Sequence, residues 1–154
     1  MRICRQLCAA AKLGLMRREL AGGYELDDDV ERIDLDAVHT YLAEVSYWAE
    51  GRPRAVVEDL VRNAARVVGL YYGDQQVGFA RAFSDGHTLS YLADVYVLED
   101  HRGKGLGMEL VREAIEGSPL AHTRWLLHTR DAHSLYERVG FGPPSDRLME
   151  RHTG

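Results

Sequence analysis

Apolar residues along the chain follow two spacings, and the change from one to the other marks its elements. In LDAVHTYLAEV, residues 35–45, Leu35, Val38, Leu42 and Val45 recur at three and four, which predicts a helix with one buried face. PRAVVEDLVRNAA repeats that pattern and predicts a second helix over 53–65, opened by Pro53, whose missing N–H is harmless in a first turn. Two β-rich runs around Gly73-Asp74 in RVVGLYYGDQQVGFARAF predict a hairpin over 66–83. HTLSYLADVYVLED (87–100) reads as a long apolar strand, GMELVREAIEG (107–117) as a helix stopped by Gly117, and RWLLHT (124–129) as another buried strand. DAHSLYERVG (131–140) predicts a short helix with Asp131 placed to cap it, and SDRLMER (145–151) a last strand. Upstream, GYELDDDVERID (23–34) reads as a polar edge strand and a turn. Strands and helices in this alternation imply an α/β chain, a mixed sheet with helices packed on its faces.

Length and charge narrow the picture. With 154 residues and 17.4 kDa there is material for one core. We expect a single domain over 23–154, preceded by an N-terminal extension over 1–22 that ends at Gly22-Gly23. That extension reads as a short amphipathic helix or, if Met16 is the natural start, as residues without function. A net charge of -5 opposes broad binding to nucleic acid or anionic membrane, both of which need clustered Lys and Arg. Cys4 and Cys8 lack the second pair that a zinc site requires, so no metal is expected and free thiols in a cytoplasmic protein are.

Candidate chemistry concentrates in YVLEDHRGKGLGMELV, residues 96–111. A strand that runs through glycines 103, 105 and 107 into a helix offers free N–H groups and the positive end of a helix dipole at one point, an anion site suited to phosphate. Two nucleotide readings fail on residue identity. A Walker loop needs Ser or Thr after its lysine, where Gly105 follows Lys104; a dinucleotide fingerprint needs glycine at Met108 and an acid near Thr123.

RGKGLG (Arg102 to Gly107) fits the R/Q-x-x-G-x-G/A pattern of the GCN5-related N-acetyltransferase (GNAT) superfamily, and DAHSLYERVGF (Asp131 to Phe141) resembles its second motif, A-x-x-x-Y-x-x-x-G-F. YLADVYV before the loop also resembles the spermidine/spermine acetyltransferase type. Element order matches over roughly 23 to 151, and the specific likeness lies between about 91 and 141. The resemblance implies a mixed, mostly antiparallel central sheet with helices on both faces, splayed open beside the glycine loop. It further implies acetyl-CoA as cosubstrate, a primary amine of a small molecule (a polyamine, an amino acid or an aminoglycoside-like compound) as acceptor, direct attack in a ternary complex, and a homodimer as in many relatives.

Residue by residue, the resemblance assigns the coenzyme pyrophosphate to the N–H groups of Arg102, Gly103, Lys104, Gly105, Leu106 and Gly107. It assigns the pantetheine arm to the backbones of Val95, Tyr96 and Val97, one of whose N–H groups would polarise the thioester carbonyl. Thr129 stands where many relatives carry an asparagine that touches the coenzyme. Tyr136 takes the place of the tyrosine that protonates the departing thiolate. Polyamine-type relatives carry a glutamate base where this chain has Ala93. Asp94 is the neighbouring candidate base if a bulge re-aims it, His128 is a rival, and His133 reads as a surface residue. Tyr47 and Trp48 either cage an ammonium group or anchor the first two helices. The carboxylates from Glu25 to Asp36 either attract a polyamine or basic protein tail, or form a solvated edge. A noncatalytic acyl-CoA-binding module and a protein N-acetyltransferase are the alternatives in function.

Overall fold

The computed structural model describes residues 15–153. Its six strands are β1 (Arg17–Leu20), β2 (Tyr24–Asp27), β3 (Arg66–Tyr72), β4 (Gln75–Ser84), β5 (Leu89–Val97) and β6 (Arg124–Leu126), and they lie in the sheet in chain order. The first five are antiparallel; β6 joins β5 in parallel, through Leu89, Ser90 and Tyr91 alone. From Leu92 onward β5 therefore has no strand on its outer side, and the sheet splays open there.

The helices are α1 (Leu35–Thr40), which widens into a π turn over Tyr41–Val45, then α2 (Arg54–Arg62), α3 (Leu106–Ile115) and α4 (His133–Glu137). They divide between the two sheet faces, as strand alternation demands. Val38, Leu42, Val57 and Val61 pack with Val67, Phe79 and Tyr96 on one face. On the other, Leu110, Val111, Ala114 and Tyr136 pack with Leu26, Val68, Leu70 and Leu92. Neighbouring residues of one strand, Val67 and Val68, thus serve opposite cores.

Five elements depart from the sequence reading. Arg17–Leu20 is a strand and not part of a helical extension, while residues 1–14, with Cys4 and Cys8, lie outside the described residues. Gly22 and Gly23, both in the left-handed region, turn β1 back onto β2. Arg18 then reaches from β1 to Glu113 (3.1 Å) and Glu109 (3.0 Å) on α3, so this segment is fastened to the domain. β2 is consequently interior, with β1 at the edge. The strand expected over 145–151 is absent; adjacent Leu148 and Met149 are both exposed, without the alternation that a sheet face would bury. Strand β6 ends at Leu126. Asp131 does not cap α4: Ala132 occupies that position and donates its N–H to Thr129 Oγ1 (3.0 Å).

Candidate active site

The cleft follows from the half-paired strand. Leu98 N–H donates to Val77 C=O on the β4 side (2.8 Å), so alternation turns Tyr96 to the ladder as well and leaves the N–H groups of Val95 and Val97 facing the open side. Of the three residues expected at the coenzyme edge, Tyr96 is thus taken by the sheet. Its ring is buried and stacked on Tyr41, centroids 3.9 Å apart.

The glycine loop begins where β5 ends. Arg102 folds back, its Nε donating to Val97 C=O (2.9 Å) and its Nη2 to Tyr41 Oη (3.0 Å), so its side chain fixes the loop to the strand. Gly103 and Gly105 take φ of 77° and 75°, and a Cβ on either would meet nothing within 4 Å. Gly107, by contrast, lies against Leu135 of α4. Among the described residues no acceptor is recorded for the backbone N–H groups from Gly103 to Gly107, which stand at the start of the ten-residue α3. An oxyanion ligand fits such a row of unpaired donors.

At the other end of the opening lies a cavity of about 560 Å³ lined by β5, the segment after β6 and the chain between α1 and α2. Tyr136 forms part of its wall, is 9% exposed and packs edge-on to Phe141 (5.9 Å). Burial pushes its phenol up to about 12, so it keeps its proton across the working range of an enzyme. Thr129 lines the cavity too, with its hydroxyl oxygen already accepting from Ala132.

Asp94 is re-aimed by a bulge. Phe79 faces Tyr96 and Arg81 faces Ala93, so three steps along β5 oppose two along β4, and Asp94 has φ 55°, the one non-glycine residue in the left-handed region among the described residues. Holding it there costs about 1 kcal/mol or more. The carboxylate turns inward to a cluster of donors: Arg81 Nε at 2.9 Å, Arg52 Nη1 at 3.1 Å from both oxygens, and Trp48 Nε1 at 3.1 Å. Each oxygen accepts twice, which fills the four acceptor positions of a carboxylate. No position remains for the proton of an incoming amine.

The aromatic pair is likewise engaged. Trp48 anchors Asp94, and the ring of Tyr47 is covered by the Arg130 guanidinium at 3.7 Å while its Oη accepts from Arg130 N–H (3.0 Å). Both line the cavity, but a protein cation already occupies the Tyr47 face. His128 stands between Tyr91 Oη at Nδ1 and the Glu150 carboxylate at Nε2, and the histidine holds Glu150 below the usual carboxylate range. His133 opens α4 and is exposed, outside the cavity lining.

Arg52, Arg81, Tyr91 and Glu150 were not singled out from the sequence. One signal was present: GFARAF places an arginine inside an apolar strand, which calls for a buried partner. The carboxylates from Glu25 to Asp36 are largely consumed locally. Glu25 and Asp27 both bind Arg32, Asp28 binds Arg66, and Asp34 caps α1.

An open strand edge, a glycine-cradled helix start and a buried tyrosine at one cleft define a scaffold for acyl-CoA-dependent transfer. Comparison with known proteins agrees. The model of the acetyltransferase (GNAT) domain matches residues 63–143. A solved structure from Xanthomonas campestris pv. campestris, provisionally assigned to the GNAT family of acetyltransferases, is 35% identical, with 84% of this chain and 93% of that one covered and a TM-score of 0.80. A provisionally named acetyltransferase of Gibberella zeae is 28% identical over 141 residues, covering 77% of this chain and 79% of that protein. A Deinococcus radiodurans structure at 20% identity and TM-score 0.68, covering 88% and 94%, shares the fold. The chain belongs to the GNAT family of N-acetyltransferases, whose cosubstrate is acetyl-CoA.

Proposed function

We propose that this protein moves the acetyl group of acetyl-CoA to the primary amine of a small molecule, by direct attack within a ternary complex. The observation that carries the reading is the continuity of the unpaired donors on the loop, the open edge of β5 and the cavity wall at Tyr136. The loop N–H groups from Gly103 to Gly107 hold the pyrophosphate. Val95 and Val97 pair with the pantetheine arm as a strand would, and one of their N–H groups donates to the carbonyl oxygen as it gains charge.

Chemistry then needs three proton movements. The ammonium of the acceptor gives up one proton to the base, and its lone pair attacks the thioester carbon. As the C–N bond forms and the C–S bond breaks with sulfur leaving as thiolate, the nitrogen loses a second proton that restores the one Tyr136 gives to sulfur. Tyr136 donates toward that sulfur; its firmly held proton makes this a strong hydrogen bond first and a transfer second. His128, with Nε2 held by Glu150 and Nδ1 bonded to Tyr91 Oη at the cavity, supports the reading of a base that takes the proton through the Tyr91 hydroxyl, in preference to Asp94, whose acceptor positions face Arg52, Arg81 and Trp48. Holding both reactants in one cleft supplies the rest, by replacing a bimolecular encounter. Acetyl-CoA is a metabolite of the cytoplasm, which supports that location.

The test is the thermal midpoint with and without saturating acetyl-CoA, since a ligand bound only by the native state must raise it. The midpoint should rise in the wild type and stay unmoved in Gly105→Glu. Absence of a rise in the wild type would leave the glycines as a turn and remove the reading.

A further inference from the structure

The acceptor end of the cavity has more guanidinium than carboxylate. Arg52 and Arg81 converge on Asp94, whose single charge balances one of them, and all three line the cavity. Their side chains are 22%, 8% and 3% exposed in that order, so this is a pair of cations largely withdrawn from water. Arg81 commits Nε alone, and Arg52 commits Nη1 alone. Among the described residues no acceptor is recorded for Arg81 Nη1 and Nη2 or for Arg52 Nη2. These nitrogens are not among the fully buried unpaired side-chain atoms, so they face the cavity, where a bidentate carboxylate would satisfy them most strongly.

The remaining charges do not reverse the balance. Arg130 lies over Tyr47 at the same cavity, and the exposed Asp131, 3.7 Å away, matches its charge and leaves the excess guanidinium unbalanced. An acceptor with several ammonium groups would meet arginines where it needs carboxylates. An acceptor with one amine and one carboxylate would satisfy the free fork nitrogens and bring its amine beside Val95, the residue after Asp94 on β5.

Resting on the acetyl-transfer reading, we infer that the acceptor is a primary amine bearing a carboxylate, of the amino-acid class, and that Arg52 and Arg81 bind that carboxylate. Polyamines and aminoglycosides are thereby disfavoured.

The experiment is amine-dependent thiol release from acetyl-CoA with matched pairs, each L-amino acid beside its carboxamide, and spermidine as a polycation. One charge-assisted contact predicts kcat/KM for the preferred amino acid about tenfold or more above its carboxamide, lost mainly through KM. Arg52→Gln, the more exposed of the two positions, should bring that ratio close to one while acetyl-CoA still raises the thermal midpoint. Equal or better turnover of carboxamides or of spermidine overturns the inference and leaves acetyl transfer standing. If no amine releases thiol, acetyl transfer itself fails, and the carboxylate site is then read by the thermal midpoint of the coenzyme-A-loaded protein with N-acetyl amino acids and their amides. A rise with the acids only, removed by Arg52→Gln, supports the site, and equal or absent rises refute it.

Discussion

The two ends of the cleft are built from different materials. At the proposed coenzyme end the donors are backbone N–H groups presented by Gly103 to Gly107 and by the unpaired edge of β5, and both loop cations turn back onto the chain, Arg102 to Val97 C=O and Tyr41 Oη and Lys104 to Asp100 C=O (3.4 Å). At the proposed acceptor end recognition falls to side chains, with Asp94 gathering Trp48 and Arg52 from the α1–α2 connection and Arg81 from β4. Backbone recognition suits a ligand that never changes, because it survives any substitution that preserves the turn. Side-chain recognition suits the ligand that differs from one relative to the next.

The contrast can be broken by single substitutions, taken here from largest effect to smallest. Gly105→Glu puts a negative side chain at a left-handed position in the coenzyme end. Nothing in the protein occupies that space, so the fold should persist while coenzyme-dependent activity falls below detection in a thiol-release assay. Asp94→Asn should act on stability instead. It leaves two poorly solvated guanidinium groups facing each other, at a cost of about 3–5 kcal/mol, read as a lowered thermal midpoint without loss of the shift that acetyl-CoA produces. Such an outcome would separate the organiser of the acceptor end from the coenzyme end.

Tyr136→Phe sits where the two ends meet and removes only the proton donor. kcat should fall by about 100-fold, with the KM for acetyl-CoA unchanged. In the wild type the phenol, pushed up to about 12, stays protonated throughout ordinary assays, so the pH–rate profile should show no alkaline decline attributable to it. His128→Gln should lower kcat by about tenfold, and Glu150→Gln by less, since the glutamate acts only by orienting the ring. Equal losses in the two variants would mean that the pair is a single structural unit.

Legibility in the sequence followed the same division. Glycine spacing before a helix and a tyrosine at a fixed distance from Gly140-Phe141 are local patterns, and they marked the glycine loop and Tyr136, which the fold brings to one cleft. The splay was implied by resemblance and is realised because β6 pairs with only three residues of β5. Asp94 was selected as a candidate on the condition of a bulge, and the bulge is there; the role of the carboxylate was hidden because its partners lie 13, 42 and 46 residues away. The direction of the Tyr96 N–H was hidden for a related reason, since only the register with β4 decides which way each N–H points. The strand β1 escaped notice because RREL has no apolar run and is held by a hairpin turn and by salt bridges to α3. The final segment carried strand-like composition but found no sheet edge to join.

The most direct trial of the account is a time course of free thiol from saturating acetyl-CoA, with carboxylate-bearing amines present or withheld, for the wild type beside Tyr136→Phe. The account predicts release that depends on the amine and slows by about 100-fold in the variant, while both proteins show the same thermal shift with acetyl-CoA. A wild type that binds the coenzyme but releases no thiol with any amine, or releases it equally without one, would contradict it and mark the cleft as a binding module.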